Sequence, residues 1–245
     1  MKVLLGSGGF RTEERRERLV AAMREHFGDI RRILFVPYAV GDPDTVLEMM
    51  RSRSLDAGYE LDGIHRHPDP VAAVKEAEGI YMGGGNSFRL IDTLHREGLL
   101  EPIRERVLGD GLPYLGVSAG ANVACPTMMT TNDMPIVLPP SFDALGLVAF
   151  QINPHYYEGS TFVRELPEAD LVEHFGETRA QRIGEYHELI PTPVVGLFEG
   201  TMLSVRDERM TLVGGSARLF RAGQDPAVIP PGDIAPEVLA ARESS

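Results

Sequence analysis

The sequence predicts an α/β fold in which helices flank a mostly parallel sheet, with antiparallel hairpins toward the C-terminus. Short apolar runs alternate with longer amphipathic stretches through the first two thirds of the chain, as in a sheet covered by helices on both faces. After about residue 193 the apolar runs are separated by glycine and charged turn residues, as in hairpins. The length of 245 residues, with 43% hydrophobic residues, provides enough apolar material for a sizeable core.

The predicted parallel sheet is built from short apolar runs. Residues 3–5, 33–36, 79–82 and 114–117 are each interpreted as a buried strand, and residues 148–152 as another. Active sites of such folds form where the parallel strands end at their carboxyl side. The residues that directly follow these runs are therefore the first candidates for function.

Amphipathic stretches between these runs are interpreted as helices. Residues 12–27 place Leu19 and Met23 on one face and carry acidic residues in the first turn. Residues 42–43, an aspartate followed by a proline, are typical of an N-cap and a first helical position. The glycine-rich residues 6–9, between the first strand and the first helix, are interpreted as a connecting loop.

The C-terminal part is expected to form antiparallel hairpins that extend the same sheet or cover its edge. No serine- or proline-rich linker precedes it, so a single domain over residues 1–245 is predicted. Residues 230–245 are expected to form a peripheral turn or helix with a frayed end. The apolar runs of the hairpins are residues 194–197, 202–205, 210–213 and 217–221.

Composition argues against several classes of partner. The formal net charge of −12 opposes binding to phosphates, and the sequence has no basic stripe with interleaved aromatic residues, so nucleic acid is not expected as a partner. No apolar run approaches the ~20 residues of a membrane helix, and the N-terminus lacks the pattern of a signal peptide. A cytoplasmic protein without a membrane partner is expected.

The chain has a single cysteine, Cys125. It cannot form an internal disulfide, and one thiol offers no metal-binding set. Its apolar neighbours favour a buried, inert thiol.

The most informative segment for function is residues 116–120, in which Ser118 lies between two glycines. The preceding run is a predicted strand and residues 119–124 can start a helix, so Ser118 is predicted at a strand-to-helix corner. The glycines remove Cβ atoms that would collide there, and the N–H of Ala119 could stabilise an oxyanion. A serine hydrolase is the leading hypothesis; the alternative is a turn of small residues without chemistry.

A serine hydroxyl needs a base, and the chain has seven histidines. His155 has the best context, because it follows the predicted strand 148–152 and would lie where α/β active sites form. The alternative for His155 is a hydrogen-bonded residue at a strand end. The other histidines are expected at the surface: His26, His65, His67, His95, His174 and His187.

A run of three glycines, residues 83–85, is expected to supply a second oxyanion donor from the backbone of Gly84 or Gly85. Asn86 after it is predicted to cap a helix. Such a run could also cradle a phosphate, but it lacks the lysine and hydroxyl residue of a P-loop and the GxGxxG spacing. A nucleotide cofactor is therefore not expected.

Two carboxylates could orient the histidine, Asp133 and Glu199. An acid hydrogen-bonded to the imidazole would fix its tautomer and stabilise the imidazolium that forms during attack. Either residue could instead cap a turn. The residues alone leave the choice between them open.

Taken together, these segments resemble peptidase E, the aspartyl dipeptidase family of serine peptidases, whose fold is related to class I glutamine amidotransferases. The matching segments extend over most of the chain, and an ordered set of this kind is far more specific than the serine motif alone. They are residues 63–66, 83–86, 116–126, 130–137, 142–145, 151–155, 176–183 and 196–200.

The resemblance implies a class I glutamine amidotransferase-like fold and a serine peptidase that uses no metal or other cofactor. It implies Ser118 as the nucleophile, His155 as general base and acid, and Glu199 as the residue that orients His155. Asp133 falls on a family position linked to activity and is expected to assist.

The implied substrates are dipeptides and a few related small peptides with an N-terminal aspartate. Arg179 matches the position expected to bind the aspartyl carboxylate, and it would supply the local positive charge that a chain of −12 needs for such a ligand. The alternative for Arg179 is a solvated helical arginine. Asn86 is also expected to contact substrate. The oligomeric state stays open between a monomer and a homodimer.

Two other functions are considered. An α/β-hydrolase esterase has a similar serine corner, and Asp133 between Ser118 and His155 keeps its usual chain order possible. The short gap between Ser118 and His155 and the lack of an HGGG motif argue against it. The non-enzymatic alternative is a binding protein with the same pocket but no turnover, and the presence of all the expected catalytic residue types argues against that.

Overall fold

The computed structural model of the protein describes residues 1–164 and 166–239. Its described helices are α1 (Glu13–Phe27), α2 (Pro43–Ser52), α3 (Pro70–Glu76), α4 (Ser87–Arg96), α5 (Leu100–Leu108), α6 (Ala119–Asn122) and α7 (Arg179–Leu189). Its described strands are β1 (Lys2–Gly6), β2 (Arg32–Val36), β3 (Glu60–Gly63), β4 (Ile80–Met82), β5 (Tyr114–Val117), β6 (Gln151–Tyr156), β7 (Phe162–Arg164), β8 (Leu171–Glu173), β9 (Val194–Phe198), β10 (Met202–Arg206), β11 (Arg209–Val213), β12 (Ala217–Phe220), β13 (Ala227–Ile229) and β14 (Gly232–Ile234). Of the helices in these ranges, none is both long and apolar enough to cross a membrane.

The main sheet has the order β14-β11-β10-β1-β5-β4-β2-β3, and its strands from β1 to β3 run parallel. Strands β1, β2, β4 and β5 match the predicted apolar runs within one residue. Because β5 lies between β1 and β4, the segments that follow these three strands meet at one edge of the sheet. The predicted fold class is confirmed, and this edge holds the glycine-rich segments and Ser118.

The predicted helix starts are also confirmed. The side chains of Thr12, Asp42 and Asn86 each accept a hydrogen bond from the backbone N–H three residues later. These N-caps satisfy N–H groups that have no partner within the helix.

Helices cover both faces of the main sheet, because alternate residues along each strand point to opposite sides. On β1, Leu4 packs with Leu19 and Met23 of α1 in one core. Its neighbours Val3 and Leu5 belong to the opposite core, with residues of α3, α4 and α5. Burial on both sides explains why the parallel strands are apolar runs rather than alternating ones.

The predicted C-terminal hairpins divide between two sheets. Strands β10, β11 and β14 extend the main sheet in antiparallel fashion beyond β1. Strands β9 and β12 instead lie in a second sheet of order β13-β12-β9-β6, in which β6 and β9 are parallel. For residues 230–245 the prediction of a turn or helix is wrong at β14, which pairs with β11, and is confirmed at Pro236–Val238, which form a 3₁₀ helix. Residues 240–245 lie outside the described chain. The single domain over residues 1–245 stays a prediction.

The strand that carries His155 begins and ends later than predicted. His155 lies inside β6 rather than after its end. Val148 and Phe150 are buried without belonging to a strand, so their hydrophobicity reports burial alone. Opposite β9, the register shifts between Asn153 and Tyr156, which is a β-bulge with one extra residue on β6.

Glycines flank Ser118 for the steric reason that the sequence indicates. A Cβ on Gly116 would collide with the carbonyl oxygen of Gly120, and one on Gly120 with the carbonyl oxygen of Met82. Strands β4 and β5 and helix α6 can approach this closely because these side chains are missing.

Gly120→Ala is expected to destabilise the protein, because the new methyl group would press on the backbone of β4, which cannot swing aside as a side chain can. We expect a loss of about 1–3 kcal/mol or more in the free energy of unfolding, measured by urea denaturation. The matched control is Gly184→Ala on α7, where a Cβ has open space and helix propensity predicts a gain of about 0.5–1 kcal/mol. Equal effects of the two substitutions would contradict this packing argument.

Candidate active site

Ser118 lies at the corner between β5 and α6, as predicted. Its backbone has φ 55° and ψ −112°, a conformation that residues other than glycine rarely adopt. The Ser118 N–H donates to the carbonyl oxygen of Gly6, which ties the corner to the end of β1. Backbone strain at a polar side chain of this kind clusters at functional sites.

The second sheet brings His155 and Glu199 to this serine. His155 Nε2 lies 2.8 Å from Ser118 Oγ, and His155 Nδ1 lies 2.7 Å from Oε1 of Glu199, which directly follows β9. The three side chains form a continuous hydrogen-bonded chain. The imidazole and the carboxylate are 39% and 41% exposed, so the chain opens to solvent on one side. Of the two carboxylates that the sequence leaves open, Glu199 is the one that contacts the histidine.

The charge on Glu199 fixes the tautomer of His155. The hydrogen bond from His155 lowers the pKa of the Glu199 carboxyl below its ordinary value of 4.5; partial burial opposes this shift, and the charges of Arg15 and Arg11 add to it. An ionised carboxylate only accepts hydrogen bonds, so Nδ1 of His155 carries the proton. Nε2 is then the acceptor that faces the Ser118 hydroxyl, as removal of the serine proton requires.

Two residues beside the serine, Ala119 and Gly84, are candidates to supply oxyanion donors from their backbone. Ala119 is the first residue of α6, so its N–H has no partner within the helix. Gly84 packs against Ser118: a Cβ on it would lie 3.1 Å from Ser118 Cβ and 3.7 Å from Oγ. Within residues 1–164 and 166–239, neither N–H donates to a backbone carbonyl. Gly85 faces Ala39 instead, so Gly84 is the predicted glycine that contacts the serine.

Asp133 and Asn86, two predicted site residues, hold a loop beside the glycine run. Oδ2 of Asp133 accepts hydrogen bonds from the N–H and the hydroxyl group of Ser87 at 2.7 Å each, and from the hydroxyl group of Thr131 at 3.1 Å. Asn86 caps α4 and donates from Nδ2 to the carbonyl oxygen of Met134. Asp133 is therefore not the acid that orients the histidine, because it binds the start of α4. Substrate contact by Asn86 stays a prediction.

Arg179 begins helix α7 and is half-buried. Burial lowers the pKa of its guanidinium group and Arg182 adds to this, while Tyr157 and Asp133 oppose it. The guanidinium carbon lies 5.3 Å from the centre of the Tyr157 ring. In the described part of the chain Arg179 has no salt bridge, and its Nε is buried without a hydrogen-bond partner. Among the described residues its charge is thus stacked on an aromatic ring and forms no ion pair.

Residues 6–9 contribute to the site in a way that the sequence analysis misses. A Cβ on Gly8, whose φ is 133°, would lie 2.5 Å from Cε1 of His155, and one on Gly9 would collide with the carboxylate of Glu199. The carbonyl oxygen of Gly8 accepts a hydrogen bond from the N–H of Gly200. A glycine run after the first strand could have indicated a site residue. Whether it lies at the site depends on the order of the strands, which the sequence does not show.

His26 is buried, so the expectation that it lies at the surface is wrong. Burial is the main cause that lowers its pKa to about 3, and the charges of Arg206 and Lys2 add to it. The helical period could have predicted this burial. His26 lies three residues after Met23 and seven after Leu19, so all three are on the same buried face of α1.

Cys125 is a buried thiol, as predicted. Its Sγ accepts a hydrogen bond from the N–H of Ile152, and burial raises its pKa to about 12. A thiol held protonated in this way is inert. Across residues 1–164 and 166–239, no group of three or more His, Cys, Asp and Glu side chains is placed to hold a metal ion.

A nucleophilic serine at a strand-to-helix corner, hydrogen-bonded to a histidine that a carboxylate orients, defines the geometry of a serine hydrolase. Comparison with protein families gives the family: residues 3–213 match the model of peptidase family S51. The chain belongs to this family of peptidases.

Relatives agree with this assignment. The chain is 47% identical over 215 residues to a protein of Streptomyces coelicolor named "Peptidase E", covering 86% of this chain and 83% of that one. It is 46% identical over 195 residues to a Drosophila melanogaster protein named "Probable alpha-aspartyl dipeptidase", covering 79% and 78%. The crystal structure of a peptidase from an acI-B1 Actinobacterium has the same fold, with a TM-score of 0.67 at 21% identity over 96% of each chain.

Gly9→Ala is expected to lower the reactivity of Ser118, because the new methyl group would displace the Glu199 carboxylate. We expect the rate of labelling by a serine-directed sulfonyl fluoride to fall about 10-fold or more. Gly28→Ala is the matched control: the φ values are 69° and 67°, but a Cβ on Gly28 has nothing within 4 Å. Both substitutions place an alanine at a positive φ, so an equal loss of labelling in the two variants would contradict the role of residue 9.

Proposed function

We propose that this chain is a serine dipeptidase that hydrolyses small peptides with an N-terminal aspartate through an acyl-enzyme on Ser118. The observation that carries the proposal is the hydrogen-bonded chain from Ser118 through His155 to Glu199. The name of the Drosophila relative, an alpha-aspartyl dipeptidase, supports the substrate class.

In the first step His155 Nε2 accepts the proton of the Ser118 hydroxyl as Oγ attacks the carbonyl carbon of the N-terminal aspartyl residue. Glu199 stabilises the imidazolium that forms, because its carboxylate remains ionised and accepts the Nδ1 proton. The N–H groups of Ala119 and Gly84 bind the oxyanion of the tetrahedral intermediate. The position of both residues beside Ser118 supports this assignment.

In the second step His155 gives its proton to the departing amine, and the peptide bond breaks. A water molecule then loses a proton to the same Nε2 and attacks the acyl-enzyme, which releases free aspartate and restores the Ser118 hydroxyl. Loss of Ser118 or His155 removes this chemistry, and turnover falls by several orders of magnitude, about 10⁶-fold in a comparable enzyme.

Arg179 selects the aspartyl side chain. Its guanidinium group carries a positive charge without a salt bridge among the described residues, and a carboxylate can pair with it in bidentate fashion. Asp133 assists by holding the neighbouring loop on α4. Peptides that carry a neutral side chain at the first position would leave this charge unpaired in a partly desolvated site.

An esterase is a weaker hypothesis for this chain than a peptidase. In α/β-hydrolases the acid lies between serine and histidine in chain order, whereas Glu199, the acid that contacts His155 here, follows the histidine. The family of the chain is a peptidase family. A binding protein without turnover is also disfavoured, because the serine, histidine and carboxylate lie within hydrogen-bonding distance.

The proposal is tested by hydrolysis of a matched panel of dipeptides: Asp-Leu, Glu-Leu, Asn-Leu and N-acetyl-Asp-Leu. We expect fast cleavage of Asp-Leu alone, and a loss of about 10³-fold or more for Asp-Leu in Ser118→Ala. A wild-type enzyme that cleaves none of these peptides and is not labelled by a serine-directed reagent would overturn the proposal. Cleavage of Asn-Leu at the rate of Asp-Leu would remove the charge selection but not the peptidase activity.

Arg179→Ala is expected to lower kcat/KM for Asp-Leu about 10- to 100-fold, the value of a hydrogen-bonded charge pair. The preference for Asp-Leu over Asn-Leu should shrink by the same factor, because the lost interaction involves only the substrate carboxylate. The control is Arg182→Ala: Arg182 lies one turn further along α7 and pairs with Glu177 at 3.4 Å. This exposed pair contributes little, so its loss should change kcat/KM by less than about 5-fold. An unchanged substrate preference in Arg179→Ala would remove Arg179 from the specificity site.

A further inference from the structure

Ser7 carries a hydroxyl group that the proposed chemistry does not use. It lies in the loop after β1, and its side chain is fully buried. The hydroxyl group accepts a hydrogen bond from the backbone N–H of His155 at 2.8 Å and donates to the carbonyl oxygen of Leu197 at 2.9 Å. Ser7 therefore touches the backbone of the catalytic histidine and the strand that leads to Glu199.

These two partners lie on the two strands of the β-bulge. Between Asn153 and Tyr156, strand β6 has one residue more than the facing segment of β9, so the ladder is interrupted at His155 and Leu197. The Ser7 hydroxyl lies between the N–H of one strand and the carbonyl oxygen of the other. A side chain thus replaces the missing ladder bond, and both backbone groups are satisfied although the strands do not pair there.

The bulge also places His155 in an unfavourable backbone conformation, with φ 55°. A residue other than glycine stays in this region only where its surroundings fix it. The Ser7 hydroxyl supplies a direct contact to the strained peptide, and the N–H of Ser7 is itself fixed by a hydrogen bond to the carbonyl oxygen of Thr201 at 3.0 Å. The next residue, Gly8, packs against the His155 ring.

We infer that Ser7 is a positioning residue for the catalytic histidine: its hydroxyl group holds the His155 backbone in the bulge, so that the imidazole reaches Ser118 and Glu199 at the same time. Ser7 touches no reacting atom and acts through His155. This inference rests on the proposed function, because it assigns a part to Ser7 within the same serine chemistry.

The test compares Ser7→Ala with wild type in two assays, cleavage of Asp-Leu and labelling of Ser118 by a sulfonyl fluoride. Misplacement of the imidazole should lower kcat and the labelling rate about 10- to 100-fold, with KM changed by less than about 3-fold. Ser204→Ala is the control for loss of a hydroxyl group, because Ser204 lies on β10 and pairs with Leu4 of β1. Both of its rates should stay within about 2-fold of wild type.

A double-substitution cycle separates positioning of the triad from a general structural role. Glu199→Gln already loosens the imidazole, so Ser7→Ala in that background should cost less than about 3-fold in labelling rate. A residue that only stabilises the fold would lower the rate by the same factor in both backgrounds. That outcome, or a Ser7→Ala enzyme with wild-type kcat, overturns the inference.

Ser7→Cys keeps a side chain of similar shape with a weaker donor and acceptor, and it carries the test if Ser7→Ala does not fold. Its kcat should fall below that of wild type with KM unchanged, and a kcat equal to wild type overturns the inference. The labelling assay distinguishes failure of the proposed function from failure of the positioning role of Ser7. If wild type is not labelled, the proposed function fails; if wild type is labelled and the Ser7 variants are labelled equally fast, the positioning role alone fails.

Discussion

Residues 6–9 connect the two sheets, and the arrangement of the site depends on this contact. The serine belongs to the main sheet, whereas His155 and Glu199 belong to the second sheet. Within four residues the chain binds the N–H of the serine, the N–H of the histidine and the N–H of Gly200, and it packs against the histidine ring and the glutamate carboxylate. Displacements of about 1 Å in a catalytic group cost orders of magnitude in rate, so this short segment sets the precision of the site.

Electrostatics at the site differ from those of the whole molecule. The chain has a net charge of −12, which disfavours an anionic ligand, yet Arg179 presents a guanidinium group without a salt bridge in the described residues. Stacking on Tyr157 holds that group in place. Across the site, the charges of Arg15 and Arg11 help to keep Glu199 ionised. Among the described residues, the Glu199 carboxylate is thus kept ionised by positive neighbours, and the Arg179 guanidinium group is left without a salt bridge.

Local sequence patterns predicted the local structure well. Apolar runs located β1, β2, β4 and β5, and residues such as Asp42 and Asn86 located helix starts, because strand burial and capping depend on neighbours in the chain. Prediction failed where residues are buried without belonging to a strand, or are buried although their type is usually exposed. Val148 and Phe150 of the run 148–152 are buried but do not belong to a strand, and His26 lies on the buried stripe of α1 although its residue type favours the surface. Strand β14 was missed because its three residues include a glycine and an aspartate and form no apolar run.

By itself the sequence determined the fold class, the serine corner and the small set of residues from which a catalytic site could be built, since these follow from periodicity, from glycine sterics and from an ordered set of motifs. Only the tertiary structure decided that Glu199 rather than Asp133 contacts His155, and that Gly84 rather than Gly85 packs against Ser118. It also decided that the loop after β1 contacts both His155 and Glu199. The reason is physical: these choices depend on contacts between residues far apart in the chain, such as the 2.7 Å between His155 and Glu199, and strand order and register set such distances.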